Sequence, residues 1–132
     1  MTSNPTSISQ KAALSALRCP PSVVREMVET FNARRKLMLA HLADIPDISF
    51  PIPQGAFYVF VDFSRYCQGR FAGEPIGDSV RLAELLLEKA HIALVPGSAF
   101  GMEGYLRFSY ATSEQAIEAG MERLKSFLKR VE

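Results

Sequence analysis

Arg107 is the residue of this sequence best placed to do chemistry, because it is the one cation in the apolar run GYLRFSYA from Gly104 to Ala111. An extended chain points successive side chains to opposite faces. Leu106, Phe108 and Tyr110 therefore share one face, and Tyr105, Arg107 and Ser109 share the other. A guanidinium set between a phenol and a hydroxyl, with a hydrophobic layer behind it, suits a planar anion such as a carboxylate. The competing reading is an arginine facing solvent from a half-exposed strand, which is where most charged side chains lie.

Other groups that invite a chemical reading fail on spacing. The segment PGSAFG from Pro96 to Gly101 is glycine-rich and follows a strand pattern, but Met102 stands where a phosphate loop needs its Lys-Ser or Lys-Thr pair. Its glycines are better explained by a tight turn between strands. His41 and His91 lack a Ser or Cys partner at readable spacing and read as structural or exposed. The carboxylates Asp44, Asp47, Asp62 and Glu103 are scattered, so no acid–base pair is indicated, and Asp62 reads as a cap or turn residue. What remains is half of a site: an anion-binding arginine without a reactive group.

The elements that must position Arg107 can be read from periodicity. Ser7 and Gln10 form a capping box that opens a helix to about Arg18, with an apolar face of Ile8, Ala12 and Leu17. After Pro20-Pro21 a second helix is predicted over Pro21–Ala43, with Val24, Val28, Phe31, Met38 and Leu42 near helical spacing. It would reach roughly 33 Å. Its central Arg34, Arg35 and Lys36 read as a solvated face. The run AFYVFVDF from Ala56 to Phe63 is a strand rich enough in aromatic and β-branched residues to be covered on both faces, and Gly55 before it marks a bend or a close backbone approach. Residues 64–77 read as a long loop. A helix over Asp78–Ala90 follows, facing inward through Val80, Ala83, Leu86 and Leu87. Residues 92–95 form a short strand, and the Arg107 strand comes next. Thr112 and Gln115 cap a last helix to about Arg130, whose face is Ile117, Gly120, Met121, Leu124, Phe127 and Val131. The order argues for an α+β sandwich, with helices packed on one side of a mainly antiparallel sheet.

With 132 residues, 48% hydrophobic and 22% charged, the chain matches an ordinary globular domain rather than a disordered or membrane-spanning one. A net charge of +1 gives no clustered basic excess, so no nucleic-acid partner is expected. No apolar run approaches the roughly 20 residues that cross a bilayer, and the amino terminus lacks the pattern of a secretory signal. Cys19 and Cys67 lack the spacing of a zinc site or a disulfide framework. A reducing, cytoplasmic setting fits these features.

Five stretches together resemble the C-terminal part of class I aminotransferases, the pyridoxal-phosphate enzymes of the aspartate aminotransferase family. They are Ser3 to Leu14, the long helix over Pro21–Ala43, and the segments PQGAFY (Pro53 to Tyr58), VPGSAFG (Val95 to Gly101) and LRFSYA (Leu106 to Ala111). The resemblance implies that residues 1–20 end a large-domain helical segment. Residues 21–132 would form the small C-terminal domain, including the long interdomain-type linking helix 21–43. It also implies that Arg107 binds the substrate α-carboxylate and that Phe57 is an apolar wall beside it. Ser3 and Asn4 would approach the active site of the neighbouring subunit in a homodimer.

The same resemblance shows what this sequence lacks. The family's Schiff-base lysine sits in a Ser-x-Ser-Lys motif that does not occur here, and Lys11, Lys36, Lys89, Lys125 and Lys129 all fall in helical patterns. The parent enzyme would use pyridoxal phosphate to move an amino group from aspartate to 2-oxoglutarate, although alanine, aromatic, methionine or diaminopimelate-pathway specificity stays open. This fragment is expected to bind no cofactor and to be inactive without the large domain. The alternative is a free-standing regulatory module that binds an amino acid through Arg107, and a third reading is a dimerisation domain built on the long helix.

Overall fold

The computed structural model describes residues 4–132. Two compact units divide the chain, the first ending at Thr30 and the second covering Phe31–Glu132. Helix α1 (Ser7–Leu17) lies in the first unit, and α2 (Pro21–Ala43) begins there and ends in the second. No residue of α1 is buried. Its N-cap is Thr6, whose side chain accepts the Ser9 N–H at 3.3 Å. Ser7 is thus the first helical residue, and Gln10 instead donates to the Pro5 carbonyl at 2.9 Å. Val24 and Val28 are exposed on α2, whereas Phe31 is half-buried edge-on against Tyr110.

In the second unit an antiparallel sheet of β1 (Tyr58–Asp62), β4 (Val95–Pro96) and β5 (Tyr105–Ser109) has the order β1-β5-β4. β5 is central, and Arg107 pairs with Phe60 on one side and Val95 on the other. The period-2 pattern holds: Leu106 and Phe108 are buried, as are Val59 and Val61 across the ladder. These side chains meet Met38 and Leu42 of α2, Leu82, Leu85 and Leu86 of α4 (Ser79–Ala90), and Ile117, Met121 and Leu124 of α5 (Glu114–Leu128) in one core. Truncating a fully buried leucine such as Leu106 to alanine removes about 2–5 kcal/mol. The opposite face of β1 is only partly covered. Phe60 is half-buried and Tyr58 is exposed, so the expectation of cover on both faces fails.

Residues 64–77 are not a bare loop. Asp62 Oδ1 accepts the Ser64 N–H at 2.8 Å and starts the short helix α3 (Ser64–Cys67). A hairpin of β2 (Arg70–Phe71) and β3 (Glu74–Pro75) follows. The hairpin is held from afar: Arg70 and Glu132 exchange two backbone hydrogen bonds, and the Phe71 ring stacks on Phe127 at 4.7 Å.

Helix α4 is capped by Asp78, whose side chain accepts the Arg81 N–H at 2.7 Å, and it ends on His91 in the left-handed region. Its inward face is Leu82, Ala83, Leu85 and Leu86, while Val80 and Leu87 are exposed. Helix α5 is capped by Ser113, one residue beyond the predicted Thr112, and buries Ile117, Met121, Leu124 and Phe127 as its periodicity predicts. An ion pair between Lys125 and Asp44, at 2.9 Å, ties α5 to the end of α2.

Candidate functional site: an arginine in an aromatic cradle

Arg107 projects from the central strand on the face away from the core, as the alternation predicts, and is half-buried. What surrounds it is aromatic. Its guanidinium carbon lies 5.3 Å from the centre of the Tyr58 ring and 4.9 Å from that of Phe100. Both distances fall within the roughly 6 Å range of a cation–π interaction. Arg35, Arg70, Arg81 and Arg123 all spend their guanidinium N–H groups on protein oxygens. Among the described residues no carboxylate pairs with Arg107. Its hydrogen-bonding fork thus has no protein partner among the described residues, a condition shared by Arg34 over the Phe31 ring and Arg130 over the Phe71 ring.

The two platforms come from different elements. Tyr58 opens β1, two positions from Phe60 on the same face, and its ring meets Phe57 edge-on at 5.6 Å. Phe100 ends a 3-10 turn over Gly97–Phe100 and packs edge-on against Phe60 at 5.9 Å, while Phe60 stacks on Tyr105 at 5.0 Å. The turn depends on Gly97. A Cβ there would overlap the Met102 carbonyl and lie 2.6 Å from Tyr105 Cβ. The motif from Pro96 to Gly101 thus shapes the turn and delivers Phe100 to the arginine.

Phe57, the predicted apolar wall, is exposed, and its carbonyl accepts the Tyr110 N–H at 2.9 Å. The preceding Ala56 has φ 61°, and Gly55 has open space around it, so this is a bend rather than a close approach. Asn4 is exposed in the first unit, and Ser3 lies outside the described residues. His41 sits 3.5 Å from Lys125 Nζ, and His91 only terminates α4.

Glu103 has a role that its isolated position in the sequence concealed. One of its carboxylate oxygens accepts the Ser79 N–H at 2.6 Å and the Gly104 N–H at 2.8 Å. These two backbone bonds hold its carboxyl below the usual carboxylate range. The side chain clasps the start of α4 to the residue that precedes β5. Gly104 itself has φ 81° and no room for a Cβ against Ser64, and its carbonyl accepts the Phe63 N–H. Tyr58, Phe100 and Glu103 all escaped sequence reasoning. The signals available were the period-2 partnership of Tyr58 with Phe60 and the aromatic residue at the end of the turn, but the strand register that joins them to Arg107 is not a local property.

Each lysine lies on a helix or at its end. Lys11, Lys36, Lys89 and Lys129 are exposed, and Lys125 is engaged by Asp44. Among the described residues no helix is long and apolar enough to cross a membrane, and no cluster of His, Cys, Asp or Glu could hold a metal ion.

A small antiparallel sheet with helices packed on its core side is the small-domain architecture of aminotransferases. The profile of aminotransferase class I and II matches residues 1–124, and the chain belongs to that family. It is 45% identical over 131 residues to a probable aspartate/prephenate aminotransferase of Aquifex aeolicus, with 98% of this chain and 32% of that protein covered. The aspartate aminotransferase of Rhizobium meliloti is 38% identical over 131 residues, covering 98% of this chain and 32% of its own. A crystal structure of the aspartate aminotransferase from Rhizobium meliloti superposes with a TM-score of 0.93 at 38% identity, covering 99% of this chain and 33% of that one. The aspartate aminotransferase of Thermotoga maritima gives 0.79 at 35% identity, covering 96% and 30%. The chain thus spans about a third of the length of the curated relatives it matches.

Proposed function

We propose that this chain is the substrate-carboxylate-binding part of an aspartate-type aminotransferase, with Arg107 as the group that grips the α-carboxylate. The observation that carries the reading is a guanidinium within cation–π distance of two rings, with no protein anion on its fork among the described residues. A bidentate grip fixes the plane of an amino acid or 2-oxo acid and so orients the bond at its α-carbon. Phe57, exposed beside Tyr58, is proposed as an apolar wall of the same site, and Ser3 and Asn4 as residues near a neighbouring subunit's site in a homodimer. Several of the relatives are named for both aspartate and prephenate, so the preferred amino donor and acceptor are left at the level of the substrate class.

Pyridoxal phosphate, which supplies the electron sink for amino transfer in this family, does not fit the groups present here. The lysines are solvent-facing or ion-paired on helices, and no step through the cofactor is assigned to this chain. The cofactor and its lysine belong, in this reading, to a large domain of which residues 1–20 are the end, with 21–132 as the small domain. The exposed apolar residues Val23, Val24, Met27 and Val28 support such a partner, because an uncovered stripe of this kind ordinarily packs against something.

The test is complementation. The chain is mixed with the large-domain part of the Rhizobium meliloti aspartate aminotransferase, and transamination of aspartate with 2-oxoglutarate is measured. We expect no turnover from the chain alone, turnover from the mixture, and a fall in kcat/KM on Arg107→Leu. Losing one partner of a buried charge pair costs about 2–5 kcal/mol, roughly 30- to 5,000-fold. Turnover by the isolated chain with pyridoxal phosphate would overturn the division of labour. Retained kcat/KM in the Arg107→Leu mixture would overturn the assignment of the arginine.

A further inference from the structure

We propose that Tyr58 and Phe100 are positioning residues that fix the orientation of the Arg107 guanidinium before any carboxylate arrives. The proposal rests on the reading of Arg107 as the carboxylate anchor and goes beyond it in naming what aims the anchor. A free arginine side chain carries about 2 kcal/mol of rotamer entropy, and a ligand that must order it binds more weakly by part of that amount. Two rings at 5.3 Å and 4.9 Å from the guanidinium carbon attract the cation without bringing a counter-charge to its N–H groups. An acidic partner would also hold the arginine still, but it would fill the fork and cancel the charge the ligand needs. The aromatic solution orders the cation and leaves it hungry.

The platforms are themselves constrained. Phe100 is set by its edge contact with Phe60 and by the tight passage of Gly97 past Tyr105. Tyr58 is set by its place in β1, where it pairs with Ser109, and by the Phe57 edge. Because one ring comes from a strand and the other from the turn after β4, the cradle closes only when both are in register with β5.

The ligand-free chain gives the first readout by NMR of its arginine side chains. Arg107 should show Nε–Hε and Hδ signals moved upfield by the ring currents and slowed guanidinium rotation. Phe100→Leu and Tyr58→Leu should each reduce both effects, and Phe100→Tyr should restore them. Phe100 and Tyr58 are exposed enough for these variants to fold, which their amide spectra would confirm. Succinate is then titrated as the carboxylate probe, and Phe100→Leu should weaken it roughly two- to fivefold, the value of an exposed cation–π contact. An Arg107 spectrum like that of free arginine, a signature unmoved by either leucine variant, or equal succinate affinity in Phe100→Leu would each overturn the proposal. If the signature is present but wild type takes up no succinate, the reading of Arg107 as an anchor fails, and the cradle stands as an ordering device.

Discussion

The phenol of Tyr110 donates to the carbonyl of Ala56 at 3.1 Å, and the Tyr110 N–H donates to the neighbouring Phe57 carbonyl at 2.9 Å. One buried residue at the end of the arginine strand therefore holds both sides of the bend that leads into β1. Burial raises the pKa of this phenol, against a smaller opposing pull from the Arg35 charge. The bend holds Ala56 at φ 61°, in the left-handed region that a side-chain-bearing residue rarely enters unaided. Tyr110→Phe removes the phenol bond and keeps the ring. A loss of about 0.5–1.5 kcal/mol is expected, the net worth of one such bond, and urea unfolding at neutral pH measures it. An unchanged midpoint would show that the bend holds without the phenol.

Gly97→Ala places a methyl group against the Met102 carbonyl and Tyr105 Cβ, both of them backbone or near-backbone atoms that yield poorly. Overpacking of this kind costs about 1–3 kcal/mol. The variant should unfold at lower urea and should also lose the aromatic signature around Arg107, since the displaced turn carries Phe100. Loss of stability without that spectral change would separate the turn from the site.

Glu103 makes stability depend on pH in a defined direction. Its folded-state carboxyl titrates below the ordinary value of 4.5, so its contribution is complete above that value and is lost as the pH falls through the lowered one. Asp44, lowered chiefly by its hydrogen bond to Lys125 and also by that charge, acts in the same sense. The gap in stability between wild type and Glu103→Gln, read by urea unfolding, should be open at pH 7 and close as the pH falls below 4.5 and through the lowered value. A gap independent of pH would mean that the carboxylate charge plays no part in holding α4 to β5.

Cys67 is buried, and desolvation, followed by the charges of Glu103, Asp78 and Asp62, pushes its thiol up to about 11. Cys19 is exposed. Thiolate is the reactive form, so a chromogenic disulfide reagent at pH 8 should modify Cys19 alone in the folded chain and both cysteines in denaturant. Rapid native labelling of Cys67 would indicate an opening of the α3 region.

Long patterns were legible in the sequence, and local alternatives a residue apart were not. The bounds Pro21–Ala43 follow from a proline at the start and a long apolar spacing, and the structure reproduces them. The alternation around Arg107 likewise survives folding because the sheet has one core face. The caps slipped by one residue where Thr6 precedes Ser7 and Thr112 precedes Ser113, since either hydroxyl can accept an N–H and only the tertiary fit selects one. Helix α4 carries apolar residues at 80, 82, 83, 85, 86 and 87, two overlapping stripes, and contact with the sheet decides in favour of the one containing Leu82 and Leu86. The hairpin at Arg70–Pro75 is invisible locally because its partners are Glu132 and Phe127. For the candidate site, the face on which Arg107 lies was readable from its own strand, whereas Tyr58 and Phe100 become its neighbours only through antiparallel register.

The position of β5 between two partner strands has a kinetic consequence. Amides in a ladder paired on both sides exchange with solvent only in rare, extensive openings, while edge turns open readily. The backbone beneath Arg107 therefore belongs to the slowest-exchanging part of the molecule, and the turn bearing Phe100, beside the two-residue edge strand β4, belongs to a faster one. The cation is mounted on the slower of these two parts, and one of the two rings that aim it is carried by the faster, so exchange measured at both would time the base and the platform separately.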